Sequence, residues 1–350
     1  MRMLPIANPP NPWATTELEY IEVDGDPDGS NPGAKLQVYE DHTRSILSKN
    51  DSPDIGFTWS INPYRGCFHA CAYCYARPGH EYLSFGAGTD FDRKIVVKPK
   101  APELLREAFD KRSWKGELLV FSGVTDCYQP LEASYQLTRG CIEVCAEYKN
   151  PLSVITKSPL IERDIDVLVE ASKRADVSLV ISIPFWDPAK ARAMEPYVAT
   201  PARRVRTIEK LAAAGLTVGV NVAPIIPGLG DEEIGEVLKA AREAGATFAG
   251  KVLLRLPGPV KEVFEQRLRA ALPLRAEKVL RRIRDTRGGK LNDARFGSRG
   301  SGEGVYADAI HALFDQTAKR LGFRTSVEFA SSTRDTFERP LGKKGQLGLF

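Results

Sequence analysis

The chain predicts an α/β fold built on a parallel sheet. From residue 57 onward, six short apolar runs rich in β-formers alternate with longer helical patterns. The runs are near-continuously apolar rather than polar at every second residue, as strands are when both faces of their sheet are covered. A length of 350 residues with 43% hydrophobic content can bury the core of such a sheet. Six βα units in series make the strands parallel, in either a doubly wound sheet or an incomplete barrel.

Residues 1–56 stand apart. They are rich in Pro, Gly, Asp and Asn and predict an extended N-terminal arm lying over the main domain, with one short helix or strand between Lys35 and Leu47. The strands follow at 57–62 (FTWSIN), 117–122 (ELLVFS), 152–156 (LSVIT), 177–183 (VSLVISI), 216–223 (LTVGVNVA) and 250–256 (GKVLLRL). Helical patterns occupy 101–112, 131–148, 160–174, 201–214, 231–245 and 260–285. Pro102, Pro159 and Pro201 suit first-turn positions, where no N–H is needed, and Asp231 suits an N-cap. The main domain is thus 57–260. A basic helical C-terminal extension covers 261–325, with a further helix at 305–321 after the Gly-rich stretch 297–304, and 326–350 form a tail.

The chemistry is carried by Asn62-Pro-Tyr-Arg-Gly-Cys67-Phe-His-Ala-Cys71-Ala-Tyr-Cys74-Tyr75, a C-x3-C-x2-C loop just after the first strand. Three thiolates can hold three irons of a cubic [4Fe-4S] cluster and leave the fourth iron open to a small molecule. The other reading is a structural zinc ion completed by His69 or His80, although structural zinc usually draws its ligands from two separated clusters. Cys141 and Cys145 share a helix face and read as core.

At these cysteines the chain resembles the radical S-adenosylmethionine (SAM) superfamily. The resemblance implies a partial (β/α)6 radical SAM barrel, a [4Fe-4S] cluster on Cys67, Cys71 and Cys74, and SAM bound at the open iron and cleaved to a 5′-deoxyadenosyl radical. Between 57 and 256 the chain also resembles the spore photoproduct lyase-like group of DNA repair photolyases, at Tyr73-Cys74-Tyr75, Thr125-Asp126, Thr156-Lys157, the Ser182 strand and Val222-Ala223-Pro224-Ile225. That likeness implies that Tyr73, Tyr75, Thr125, Lys157, Ser182 and Ala223 surround SAM, with the two tyrosines also taking part in catalysis. By charge, Lys157 suits the SAM carboxylate and Asp126 its ammonium. In the lyase, a hydrogen-donating cysteine lies two positions before the Thr/Ser-Asp pair. That position here is Gly123, and Cys127, one residue after Asp126 at the mouth of the same strand, is either the nearest substitute donor or a packed loop thiol.

The net charge of +4 is uneven. Between residues 267 and 290, Lys or Arg at 267, 269, 275, 278, 281, 282, 284, 287 and 290 face only Glu277 and Asp285, a local +7 that is either a phosphate-following face or the solvated side of a helix. At the C-terminus, Gln346, Leu347, Leu349 and Phe350 resemble the short peptide with which repair factors dock on the sliding clamp, after a basic Gly342-Lys-Lys-Gly345 lead. No signal-peptide or membrane-spanning run stands out, so the expected setting is cytoplasmic, with an electron donor such as flavodoxin or ferredoxin. The leading function is hydrogen abstraction from a nucleic acid in repair or modification. The rivals are a radical SAM enzyme acting on a peptide or small metabolite, and a non-catalytic zinc-binding adaptor.

Overall fold

The computed structural model describes residues 19–21, 36–325 and 335–340. Its strands are β1 (Glu19–Ile21), β2 (Gln37–Glu40), β3 (Leu47–Lys49), β4 (Trp59–Ile61), β5 (Tyr64–Arg65), β6 (Lys94–Val97), β7 (Leu119–Phe121), β8 (Leu152–Thr156), β9 (Val177–Ser182), β10 (Thr217–Ile225), β11 (Phe248–Leu253) and β12 (Arg324–Thr325). The main sheet has the order β12-β11-β10-β9-β8-β7-β4-β3. Every neighbouring pair from β4 to β12 is parallel and only β3 runs antiparallel. All six expected strands are therefore present, in chain order, in one open sheet that does not close among the described residues.

Helices α1 (Thr89–Arg93) and α2 (Ala101–Asp110) lie between β4 and β7. Then α3 (Glu132–Tyr135) and α4 (Leu137–Glu147) precede β8, α5 (Ile165–Arg174) precedes β9, α6 (Pro188–Met194) and α7 (Pro201–Ala213) precede β10, and α8 (Ile234–Glu243) precedes β11. Beyond the sheet follow α9 (Val260–Ala271), α10 (Pro273–Asp285), α11 (Ser298–Ser301) and α12 (Val305–Arg320). The inward stripes of α2, α4, α5, α7 and α8 close over one core with the buried faces of β7 to β11.

Three departures from the sequence reading have local causes. The helix expected over 131–148 breaks at Gln136, which takes a left-handed conformation with φ of 52°. The one expected over 260–285 breaks before Pro273, whose ring cannot follow an earlier helical turn. Asp231 is not an N-cap: it lies inside a 3-10 turn, where its carboxylate accepts from the Gly228 amide at 2.8 Å and from the Tyr306 hydroxyl.

The arm does more than cover the domain. Within 36–56, β2 pairs in parallel with β6, and β3 joins the main sheet beside β4. A second sheet, β1-β2-β6-β5, thereby flanks the cysteine loop. Far from that loop, residues 335–340 return to the N-terminal ends of the strands. There Phe337 packs on Phe109 and Tyr148, and Arg339 donates to the carbonyls of Phe109, Lys111 and Trp114 at 2.7–3.0 Å. Gly116, at φ of +85°, lets this segment approach: a Cβ there would lie 2.2 Å from Phe337. No described helix is long and apolar enough to cross a membrane.

Candidate iron-sulfur and SAM site

The cysteine loop emerges where β4 and β5 end, and buried polar groups hold its backbone. Gly66 adopts φ of +76° with His80, Phe91 and Lys94 crowding the position of its missing Cβ, all at 3.0 Å, so only glycine fits. Fully buried Gln129 accepts from the Phe68 amide at 3.1 Å and donates to the Gly66 carbonyl at 3.2 Å. Arg77, also fully buried, donates twice to the Cys71 carbonyl at 2.9 and 3.1 Å and to the carbonyls of Ala87 and Gly88, and pairs with Asp92 at 2.8 Å.

Within this frame the three thiols are free, and each lies in the field of at least one of the others. Burial pushes all three upward in pKa, while Lys157 acts downward on Cys71 and Cys74. Three soft donors on one loop, two buried and one half-buried and none in a disulfide, fit a cationic cluster that neutralises the thiolates. The two histidines considered for zinc are engaged elsewhere: His69 Nδ1 meets Asp126 at 3.3 Å, and His80 Nε2 meets the Lys94 carbonyl at 2.9 Å. Burial also holds His80 down to about 4.

At the C-terminal ends of the neighbouring strands, one buried network reaches the loop. The Tyr73 hydroxyl donates to Glu195, Glu195 pairs with Arg204 at 2.5 Å, and Arg204 donates to the carbonyls of Ser182 at 2.8 Å and Ala199 at 2.9 Å. The Lys157 ammonium stands 5.8 Å from the centre of the Tyr73 ring. Thr125 donates to the Tyr64 carbonyl at 3.0 Å, and Tyr75, 51% exposed, donates to the Gly123 carbonyl at 2.6 Å. Ala223 precedes a cis peptide bond to Pro224, at the register shift between β10 and β11.

Two expected roles need correction. Asp126 does not present a free acceptor. Its oxygens accept from Thr156 Oγ1 at 2.6 Å, the Lys157 amide at 2.8 Å and the Tyr128 amide at 3.0 Å, and meet His69 at 3.3 Å. These four use the lone-pair capacity of a carboxylate. Against the upward push of burial, His69, Thr156 and the Lys157 amide hold Asp126 down at about 2. It therefore fixes the backbone from which Lys157 projects. Cys127 is not at the mouth: it is fully buried in the main core with Cys141 and Cys145, and burial pushes its thiol well up. At Gly123 itself, a Cβ would lie 3.0–3.3 Å from Ser60 and Asn62, so a cysteine there would require both to shift.

The basic stretch is also largely committed. Arg269, Arg275 and Arg282 are ion-paired, Arg267 donates to the Ala193 carbonyl at 2.7 Å, and Arg287 is buried on backbone carbonyls. Lys278, Arg281 and Lys290 remain exposed. Glu195, Arg204, Gln129 and Arg77 were not singled out by the sequence, although each holds the loop or its neighbour.

An open parallel sheet with a three-thiol loop at the end of its first parallel strand defines an iron-sulfur enzyme of the SAM-cleaving class. Residues 61–241 match the radical SAM superfamily, and the chain belongs to it. Its cofactors are a [4Fe-4S] cluster and SAM. Among similar proteins are an uncharacterized protein of Mycobacterium tuberculosis, 38% identical over 65% of this chain and 68% of that protein, and one of Methanocaldococcus jannaschii, 28% identical over 58% and 74%. A protein of Acidianus two-tailed virus is 32% identical over 48% of this chain and 56% of its own. Spore photoproduct lyase complexed with dinucleoside spore photoproduct shares the fold, with a TM-score of 0.63 at 17% identity, over 82% of this chain and 81% of the lyase. A variant of that lyase with bound AdoMet and the dinucleoside gives a TM-score of 0.58 at 17% identity, over 82% and 80%.

Proposed function

We propose that this enzyme abstracts a hydrogen atom from a nucleic-acid substrate in repair or modification. The observation that carries the reading is the extent of the shared fold. It reaches 82% of the chain, well beyond the family-matched 61–241, and the lyase that shares it has been solved holding a dinucleoside.

When bound, the cluster supplies an electron and SAM supplies the hydrogen-abstracting radical. The chain's own residues bind, orient and seal. Cys67, Cys71 and Cys74 hold the cluster, and Lys157, fixed through Asp126, takes the SAM carboxylate. Tyr73, braced by Glu195 and Arg204, and the segments carrying Thr125, Ser182 and Ala223 wall the site, which excludes water from a reactive species. Tyr75, half exposed beside Gly123, meets the substrate. With glycine where the lyase has its donor and Cys127 sealed in the core, neither position returns a hydrogen atom to the substrate radical, so the atom that ends it comes back from the methyl group of 5′-deoxyadenosine.

The setting is cytoplasmic, with a flavodoxin or ferredoxin as electron donor. The Gln346, Leu347, Leu349 and Phe350 motif, which lies outside the described residues, docks on the sliding clamp. The deciding experiment is anaerobic incubation with SAM, dithionite and deuterated damaged oligonucleotides. Deuterium in 5′-deoxyadenosine supports the reading; its appearance only from a peptide or small metabolite would replace it with the rival substrate class.

A further inference from the structure

Arg255 lies two residues beyond β11, between Leu254 and Leu256, which are 1% and 0% exposed. Half-buried itself, it makes no hydrogen bond or ion pair among the described residues, and it lies in the fields of Arg299, Asp54 and Tyr75, and acts in turn on Arg287. Burying part of a guanidinium without a partner is costly, so such a group marks a place for an anion.

The loop 287–299 is fastened beside it. Arg287 donates to the Leu254 carbonyl at 2.6 Å and to the Ser298 carbonyl at 2.7 Å, and Asn292 accepts from the Leu256 amide at 3.1 Å. Arg287 is 4% exposed, and its Nε has no partner. The loop carries Arg287, Lys290, Arg295 and Arg299 against Asp293 alone. At its far end Phe296 is 62% exposed, with the Arg299 guanidinium 4.6 Å from its ring centre. Arg299 is in turn fixed by Asp54 at 2.5 Å, so the arm holds this aromatic platform in place. A guanidinium whose hydrogen bonds are unused, in the field of the Arg299 that supports an open aromatic ring, offers the pairing by which proteins grip single nucleic-acid strands, phosphate on the cation and base on the ring.

We infer that Arg255 and Phe296, carried on the 254–256 segment and the 287–299 loop, form a lip that binds a nucleic-acid strand beside Tyr75, Arg255 taking a backbone phosphate and Phe296 stacking a base. This rests on the nucleic-acid reading above. It places strand contacts on this loop rather than on the basic face of α10.

The test is fluorescence anisotropy of a labelled single-stranded oligonucleotide with the full, cluster-loaded chain under anaerobic conditions, across a salt series. Iron and sulfide content and far-UV circular dichroism report on folding. Arg255→Ala should weaken binding roughly tenfold and lower the slope of log K against log salt by about 0.7, the value for one contact to a single strand. Phe296→Ala should weaken binding at least about fivefold with the slope unchanged. Arg255→Lys should retain the slope, and the α10 pair Lys278→Ala with Arg281→Ala should change affinity less than about twofold. If the parent binds the oligonucleotide and both Arg255→Ala and Phe296→Ala bind equally well, the lip is wrong and the nucleic-acid reading stands. If the parent binds no oligonucleotide, both fall.

Discussion

Glu195 is the single residue whose loss should most disturb the cofactor site without touching a cofactor. It is 1% exposed and accepts from two buried donors, Tyr73 beside the cysteine loop and Arg204 beneath β9. Glu195→Ala leaves the Arg204 charge buried against carbonyls alone, a loss of about 3–5 kcal/mol for breaking a buried pair. The orphaned Tyr73 hydroxyl carries a cost of about 1–3 kcal/mol of its own, but both effects pass through one carboxylate and are not expected to add. Against a typical stability of about 5–15 kcal/mol the variant should fold, with a clearly lowered urea midpoint and reduced iron retention. Arg204→Met should behave similarly, since it leaves the Glu195 carboxylate buried. Combining Glu195→Leu with Arg204→Met removes both charges, so the double variant should be more stable than either single, with a coupling of at least about 1 kcal/mol. A loss below about 1 kcal/mol for Glu195→Ala, or strict additivity in the double, would refute the bracing role.

Lys157→Ala should weaken SAM binding by about 1.5–3 kcal/mol and leave iron content intact, because Asp126 holds the Lys157 amide rather than its side chain; unchanged affinity by calorimetry removes Lys157 from the site. His80, held down to about 4 against an ordinary 6.5, is neutral in the fold, and the unfolded chain takes up the proton first. Its contribution is therefore complete above pH 6.5 and lost as pH falls toward 4, by about 3 kcal/mol, and His80→Gln should flatten urea stability across that window. A slope identical to the parent's would show that other groups govern it. Cys127→Ala should cost about 1 kcal/mol as a small core deletion and leave the product of the reaction unchanged; an altered product would restore it as a hydrogen donor.

The parallel sheet and the cysteine loop were legible because each is written locally. Strands buried on both faces are apolar at most positions, and a C-x3-C-x2-C loop needs no partner from elsewhere to declare itself. The supports of the loop were not legible for the opposite reason. Tyr73 meets Glu195 across 122 residues, and Gln129 meets Phe68 across 61, separations at which sequence pattern carries no pairing information. Asp126 shows a related limit: its charge at a strand end was visible, but the four donors that occupy it come from three segments, so charge alone suggested a ligand where packing made a brace. One missed residue did leave a trace. Helix α7 buries Pro201, Arg204, Thr207, Ile208 and Leu211. The first, second and last two of these recur at helical spacing, so Arg204 sits in the inward stripe of its own helix, whereas Arg203 and Arg206 flank it outside. A cation on the apolar stripe must find a buried acceptor, since an unpaired charge there is too costly to keep. That inference needs only the period of the helix. It directs the search to the strand ends against which α7 packs, where Glu195 waits beside the loop that the cysteines had already marked.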